Sequence, residues 1–138
     1  MQREKDRTRA DRIARMLEAL RQGTTIVEGL HDVKALAHFG IKAIPYSRLS
    51  AALPSISGRV YLLADDDRGG EEKKEKMRML LLEHNSGYLI DETLGRRMLK
   101  MLNVTSVEQI CGPIEEARES GDYYGKNISR YSKVHGAG

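Results

Sequence analysis

With 138 residues, 40% of them apolar and 31% charged, the chain is sized for one soluble globular domain with a real core and is too short for two independent ones. No apolar run approaches the roughly 20 residues that span a bilayer, and the first residues are highly charged instead of resembling a secretory signal, so a cytoplasmic protein with no membrane partner is expected. The net charge of +3 excludes little by itself; its placement matters more.

Residues 2 to 21 carry Arg3, Lys5, Arg7, Arg9, Arg12, Arg15 and Arg21 against Glu4, Asp6, Asp11 and Glu18. Ala10, Ile13, Met16, Leu17 and Leu20 recur at helical spacing, which predicts a charged amphipathic helix over about residues 4 to 21, ended by Gly23. Its basic side chains suit phosphate, or else an ordinary solvated face. The β-branched run from Thr24 to Val27 predicts a strand. Val33, Leu36 and Ala37 predict a helix that stops at Gly40.

The unit then repeats. Residues 42–45 form a short strand, 47–53 a short helix before Pro54, and 59–64 the most apolar strand. From Gly70 a charged helix with Met77, Leu80 and Leu81 on one face runs to about His84, and 88–90 make a fourth strand. Glu72 and Lys76 stand at i, i+4 on that helix and predict an ion pair. Leu94, Met98, Met101 and Leu102, then Val107, Ile110, Cys111 and Ile114, predict two closing helices beside the sheet. Cys111 is the single cysteine, which excludes an internal disulfide and a cysteine-based zinc site, and it reads as a small buried hydrophobe. Beyond Gly121, Tyr123, Tyr124 and Tyr131 alternate with Lys126, Arg130 and Lys133. So few aliphatics cannot fold alone, which predicts a tail that is disordered or held by RNA or a partner. The expected organisation is a helix over 1–21, an α/β domain over 22–118 and a basic, tyrosine-bearing tail over 119–138.

Strands too apolar to be solvated on either face, alternating with helices, argue for a four-stranded parallel sheet covered by helices, a Rossmann-like α/β fold with extra N-terminal and C-terminal helices. Ligands collect at the carboxyl ends of such strands. Two of those ends are acidic: IVEGLHD, from Ile26 to Asp32, and ADDDRGGE, from Ala64 to Glu71. A strand order of 2-1-3-4 brings Glu28 beside Asp65 and Asp67. In an extended segment Asp65 and Asp67 point the same way and Asp66 elsewhere. Converging carboxylates repel by about 4 kcal/mol at contact in an intermediate dielectric, and an oxygen-only set without His or Cys suits Mg²⁺ or Mn²⁺. Gly69 and Gly70 permit a tight turn into the next helix, whose N-terminal amides favour an anion. Together these describe a phosphodiester site.

The two motifs, in this order and with Glu28 and Asp65 37 positions apart, resemble the Toprim domain of topoisomerases, bacterial primases, OLD-type nucleases and the bacterial nuclease that matures 5S ribosomal RNA. The signature is a glutamate after the first strand, here Glu28, and D-x-D-x-x-G-E after the third, here Asp65 to Glu71. The likeness spans roughly residues 22 to 92, and LGRRMLKMLNVTSVEQI resembles the close of small, stand-alone, primase-like Toprim proteins of archaea. It implies that Asp65 and Asp67 bind Mg²⁺ and that Glu28 acts as general acid or base or as a further ligand. Arg68 would contact phosphate. Asp32 would fix the loop around Glu28, or serve only as a helix N-terminal acid.

Lys73, Lys74, Arg96, Arg97 and Lys100 are candidates for a nucleic-acid path, with solvated helix faces as the alternative, and His31 is a candidate substrate contact. His38, His84 and His135 read as helix-end or tail residues. The size leaves no room for a topoisomerase gate or for the extra modules of a primase. A Mg²⁺-dependent nuclease is therefore expected, acting on structured RNA in preference to DNA by analogy with ribosomal RNA maturation. The alternatives are a non-catalytic nucleic-acid-binding module within a larger complex, and primase-like nucleotidyl transfer with partner subunits.

Overall fold

Four parallel strands, β1 (Thr24–Val27), β2 (Ala43–Pro45), β3 (Arg59–Leu62) and β4 (Leu89–Asp91), lie in the order β2-β1-β3-β4 in a computed structural model that describes residues 2 to 119. This is the 2-1-3-4 order inferred from the sequence, one of those that right-handed crossovers allow, and the fold is α/β with helices on both faces. The helices are α1 (Gln2–Gln22), α2 (Leu30–Ala37), α3 (Tyr46–Ala52), α4 (Arg68–His84), α5 (Thr93–Met101) and α6, residues 111–119. Among the described residues no helix is long and apolar enough to cross a membrane.

Alternation along the strands builds two cores. Val27, Tyr61 and Leu63 face one side, where they meet Ile13, Met16, Leu17 and Leu20 of α1, Leu36 of α2, Met98 and Leu99 of α5, and Ile114 of α6. Ile26, Val60 and Leu62 face the other, against Leu49 of α3 and Met77 and Leu81 of α4. Each fully buried large aliphatic contributes about 1.5–3 kcal/mol relative to exposure. The edge strand β4 departs from the expected two-sided burial. Leu89 is 57% exposed, on the outermost strand of the sheet, which has a neighbouring strand on one side only.

Other boundaries shift for local reasons. Pro54 falls in a 3-10 turn, Leu53–Ser55, that follows α3 instead of simply ending it. The apolar positions of 107–114 do not form one helix. A 3-10 turn, Val107–Gln109, precedes α6, which starts at 111 with Pro113 in its first turn, where a missing amide is tolerated. Glu72 lies 3.8 Å from Arg68 and not against Lys76. Of the N-terminal basic residues, Arg9 donates to the Met101 carbonyl (3.0 Å) and Arg21 to the Phe39 carbonyl (2.8 Å), so both serve the fold. His38 meets Glu115 at 2.6 Å, and His84 stacks on Tyr88. Cys111 is partly buried, 3.6 Å from the Ala35 carbonyl. Gly121, the tail tyrosines, Lys126, Arg130, Lys133 and His135 lie outside the described residues.

Candidate metal and phosphate site

β1 ends one residue before Glu28, and the β1–β3 ladder continues to a bond from the Leu63 amide to the Ile26 carbonyl (2.9 Å). Two residues beyond Leu63, the Asp65 amide donates to Glu28 Oε2 at 3.3 Å. The two acidic motifs therefore meet at the carboxyl end of the sheet.

The turn after β3 is not extended. The Asp67 amide bonds back to the Asp65 carbonyl (2.9 Å), so a tight three-residue turn sets the directions of the acids in place of strand alternation. Asp66 does point elsewhere, with its Oδ1 3.8 Å from Arg96. Asp67 is the N-cap of α4, its Oδ1 accepting from the Gly70 amide at 2.7 Å. The helix thus begins at Arg68, and Gly69 and Gly70 lie inside its first turn, not in the turn before it. A Cβ on Gly70 would stand 1.8 Å from the Asp65 carbonyl oxygen, so only glycine lets the helix approach this closely.

Asp32 is buried and accepts from the Gly29 amide (3.3 Å), which makes it both a cap of the α2 entry and a neighbour of the acidic group. Desolvation is the main force pushing the carboxyl of Glu28 above its ordinary range, followed among the raising influences by the charges of Asp65, Asp32 and Asp67. Asp65 is raised chiefly by desolvation, then by Asp67 and Glu108, and Asp32 likewise by desolvation, then by Asp65 and Glu108. The amides on each carboxylate pull the other way but do not cancel the rise.

Outside this inner group the charges are compensated. Glu71 receives Lys74 and Arg96 (2.7 Å), which hold its carboxyl below the usual range. The Lys74 side chain is only 6% exposed, which removes it from any exposed nucleic-acid path. Arg68, at the start of α4, is 95% exposed. Lys73, Arg97, Lys100 and His31 are exposed as well, His31 on the first turn of α2.

Several residues of the site were not anticipated. The Val107 amide donates to Asp65 Oδ1 (3.1 Å), and the Asp66 amide donates to the Thr105 carbonyl (2.7 Å), so the closing segment clamps the acidic turn and brings Glu108 near. Backbone groups leave no mark in a sequence. Glu71, which ties α4 to α5, did have a signal, since it closes the D-x-D-x-x-G-E pattern.

The donor set fits a hard divalent cation in its chemistry: carboxylates alone, lifted by desolvation and mutual repulsion. Glu28, Asp65 and Asp67 each commit one oxygen to an amide and keep the other. Among the described residues no group of three or more His, Cys, Asp and Glu stands gathered in metal-holding positions, so ligation requires the free oxygens to turn inward.

No protein-family model matches the chain. No curated protein matches it either. Among solved structures it is similar to a functionally uncharacterised protein from Aquifex aeolicus, at 35% identity and a TM-score of 0.59, over 72% of this chain and 94% of that one.

Proposed function

For a chain that belongs to one family with the Aquifex aeolicus protein, itself without an assigned role, we propose a Toprim-type, Mg²⁺-dependent phosphodiesterase that cuts structured RNA in the cytoplasm. The observation that carries this reading is the bond from the Asp65 amide to Glu28 Oε2, which joins two acidic motifs 37 residues apart at one strand end.

Asp65 and Asp67, with Glu28, would hold the cation. A bound Mg²⁺ or Mn²⁺ supplies charge neutralisation at the phosphate and acidifies water. Glu28 does the proton work. Desolvation first, then the neighbouring carboxylates, raise its affinity for a proton above that of an ordinary glutamate, which favours a group that accepts and returns one. Arg68, solvent-facing at the head of α4, reaches for a phosphate oxygen alongside the helix amides. Arg96, bonded to Glu71 at 2.7 Å and 3.8 Å from Asp66, steadies the turn, while the exposed Arg97 faces the polymer.

The test is incubation with labelled RNA and DNA, with and without Mg²⁺ or Mn²⁺, beside Glu28→Gln. We expect metal-dependent cleavage, RNA before DNA, and a loss of about 100-fold or more in the variant, with metal-dependent binding retained. Binding without cleavage by the natural chain would replace the nuclease with a binding module, and strand synthesis from nucleotides would replace it with a transferase. If neither polymer is cut or bound, the reading falls.

A further inference from the structure

The register of β1 and β2 pairs Thr25 with Ala43, Ile26 with Ile44 and Val27 with Pro45. The next residue on each strand is Glu28 and Tyr46. Tyr46 therefore leaves β2 next to the point where Glu28 leaves β1, and Asp65 stands on the opposite flank of Glu28. Along the carboxyl edge of the sheet the order is Tyr46, Glu28, Asp65.

Tyr46 opens α3 with its side chain only partly buried at the margin of the second core. Lys73, exposed on α4, reaches over it and places its Nζ 5.9 Å from the ring centroid. That is close to the outer limit of a cation–π contact, so the ammonium is loosely held and can move to a better anion. An aromatic ring and a mobile cation thus sit beside an acidic centre that by itself repels phosphate.

We propose that Tyr46 and Lys73 form a subsite for the nucleotide adjoining the phosphodiester at the acidic centre, the base stacking on Tyr46 and its phosphate meeting Lys73. This rests on the phosphodiesterase reading. A base inside a duplex already has both faces covered by neighbours, whereas an unpaired one is free to stack on a side chain. The subsite therefore selects an unpaired stretch, such as a loop or end of a folded RNA.

The experiment measures binding of labelled single-stranded RNA and DNA and of their duplexes by fluorescence anisotropy, in Glu28→Gln with Mg²⁺ to prevent turnover. Melting temperatures are recorded for every variant. Adding Tyr46→Leu is expected to weaken single-strand binding about 5- to 150-fold and to leave duplex binding unchanged. Tyr46→Phe keeps the ring and is expected to bind as before. Lys73→Gln lowers the salt dependence by about one phosphate contact.

Single strands bound equally by the Leu and Phe variants, or no better than duplex, overturn the subsite, as does failure of the natural chain to bind any polymer. Should Tyr46→Leu lower stability, binding is compared below its melting temperature, where equality with Tyr46→Phe still overturns the subsite, and Lys73→Gln, on an exposed side chain, gives the second test. Selective binding that never leads to cleavage in the natural chain removes the phosphodiesterase and keeps the subsite. Cleavage of single strands with a KM indifferent to Tyr46→Leu does the reverse. The RNA and DNA arms report whether the 2′-hydroxyl contributes.

Discussion

Glu28, Asp32 and Asp65 lose water and gain like-charged neighbours when the chain folds, so each holds its proton more firmly than in the unfolded state. Between the ordinary carboxylate range and the raised values, the folded protein binds more protons than the unfolded one. Stability contributed by these groups is thus present at acid pH and is lost as pH rises through that window. In chelator, their contribution is expected to lower the melting temperature as pH climbs from the ordinary carboxylate range toward neutrality. Glu28→Gln keeps an acceptor for the Asp65 amide while removing a charge, so it is expected to flatten that fall and to melt higher than the natural chain at pH 7. Mg²⁺ should stabilise the natural chain at neutral pH and much less in acid. Calorimetry across pH checks all three, and a Glu28→Gln variant that steepened the decline would contradict this assignment of charge.

The start of α4 shows how an element can be read correctly and still be misplaced. Periodicity in Met77, Leu80 and Leu81 is enough to find the helix, but Asp67 caps it and draws its first residue back to Arg68. A D-D-D run offers three carboxylates of the same type, and only the backbone turn decides which one caps. The two glycines likewise look equivalent in sequence and differ in space. Gly69→Ala meets only Asp67 Oδ1, at 3.5 Å, and is expected to be neutral or to stabilise by up to about 1 kcal/mol through helix propensity. Gly70→Ala drives a methyl into the Asp65 carbonyl and is expected to cost about 3 kcal/mol or more while displacing the acidic turn. Denaturant unfolding of the two variants separates these outcomes. In the same way alternation and the crossover rule narrowed the strand order and 2-1-3-4 was inferred from among the rest, whereas the exposure of Leu89 was not legible, because hydropathy alone does not say how much of an edge strand the helices cover.

At the scale of the molecule the acidic centre belongs to three distant stretches: the loop after β1, the turn after β3, and residues 105–108. The first two were legible because each ends an apolar strand in side chains with recognisable chemistry. The third was legible only as core, through Val107, Ile110 and Ile114, since its bonds to the centre come from one carbonyl and one amide and its acid, Glu108, acts only through its charge. A chain ending at residue 102 loses those two groups together with the buried Val107, Ile110, Ile114 and Ala117. It is expected to lack a cooperative thermal transition, as a calorimetric scan would show; a sharp transition near that of the full chain would make the closing segment an accessory. The bonds that assemble the centre bridge 37 and 42 residues of chain. The first spans about the same separation as the β1–β3 ladder that carries it and can form with that ladder, whereas the second requires residues 105 to 107 to have docked. The whole centre is therefore a product of completed folding and not a seed for it, and a nascent chain lacks part of its binding chemistry until its last third has emerged and docked.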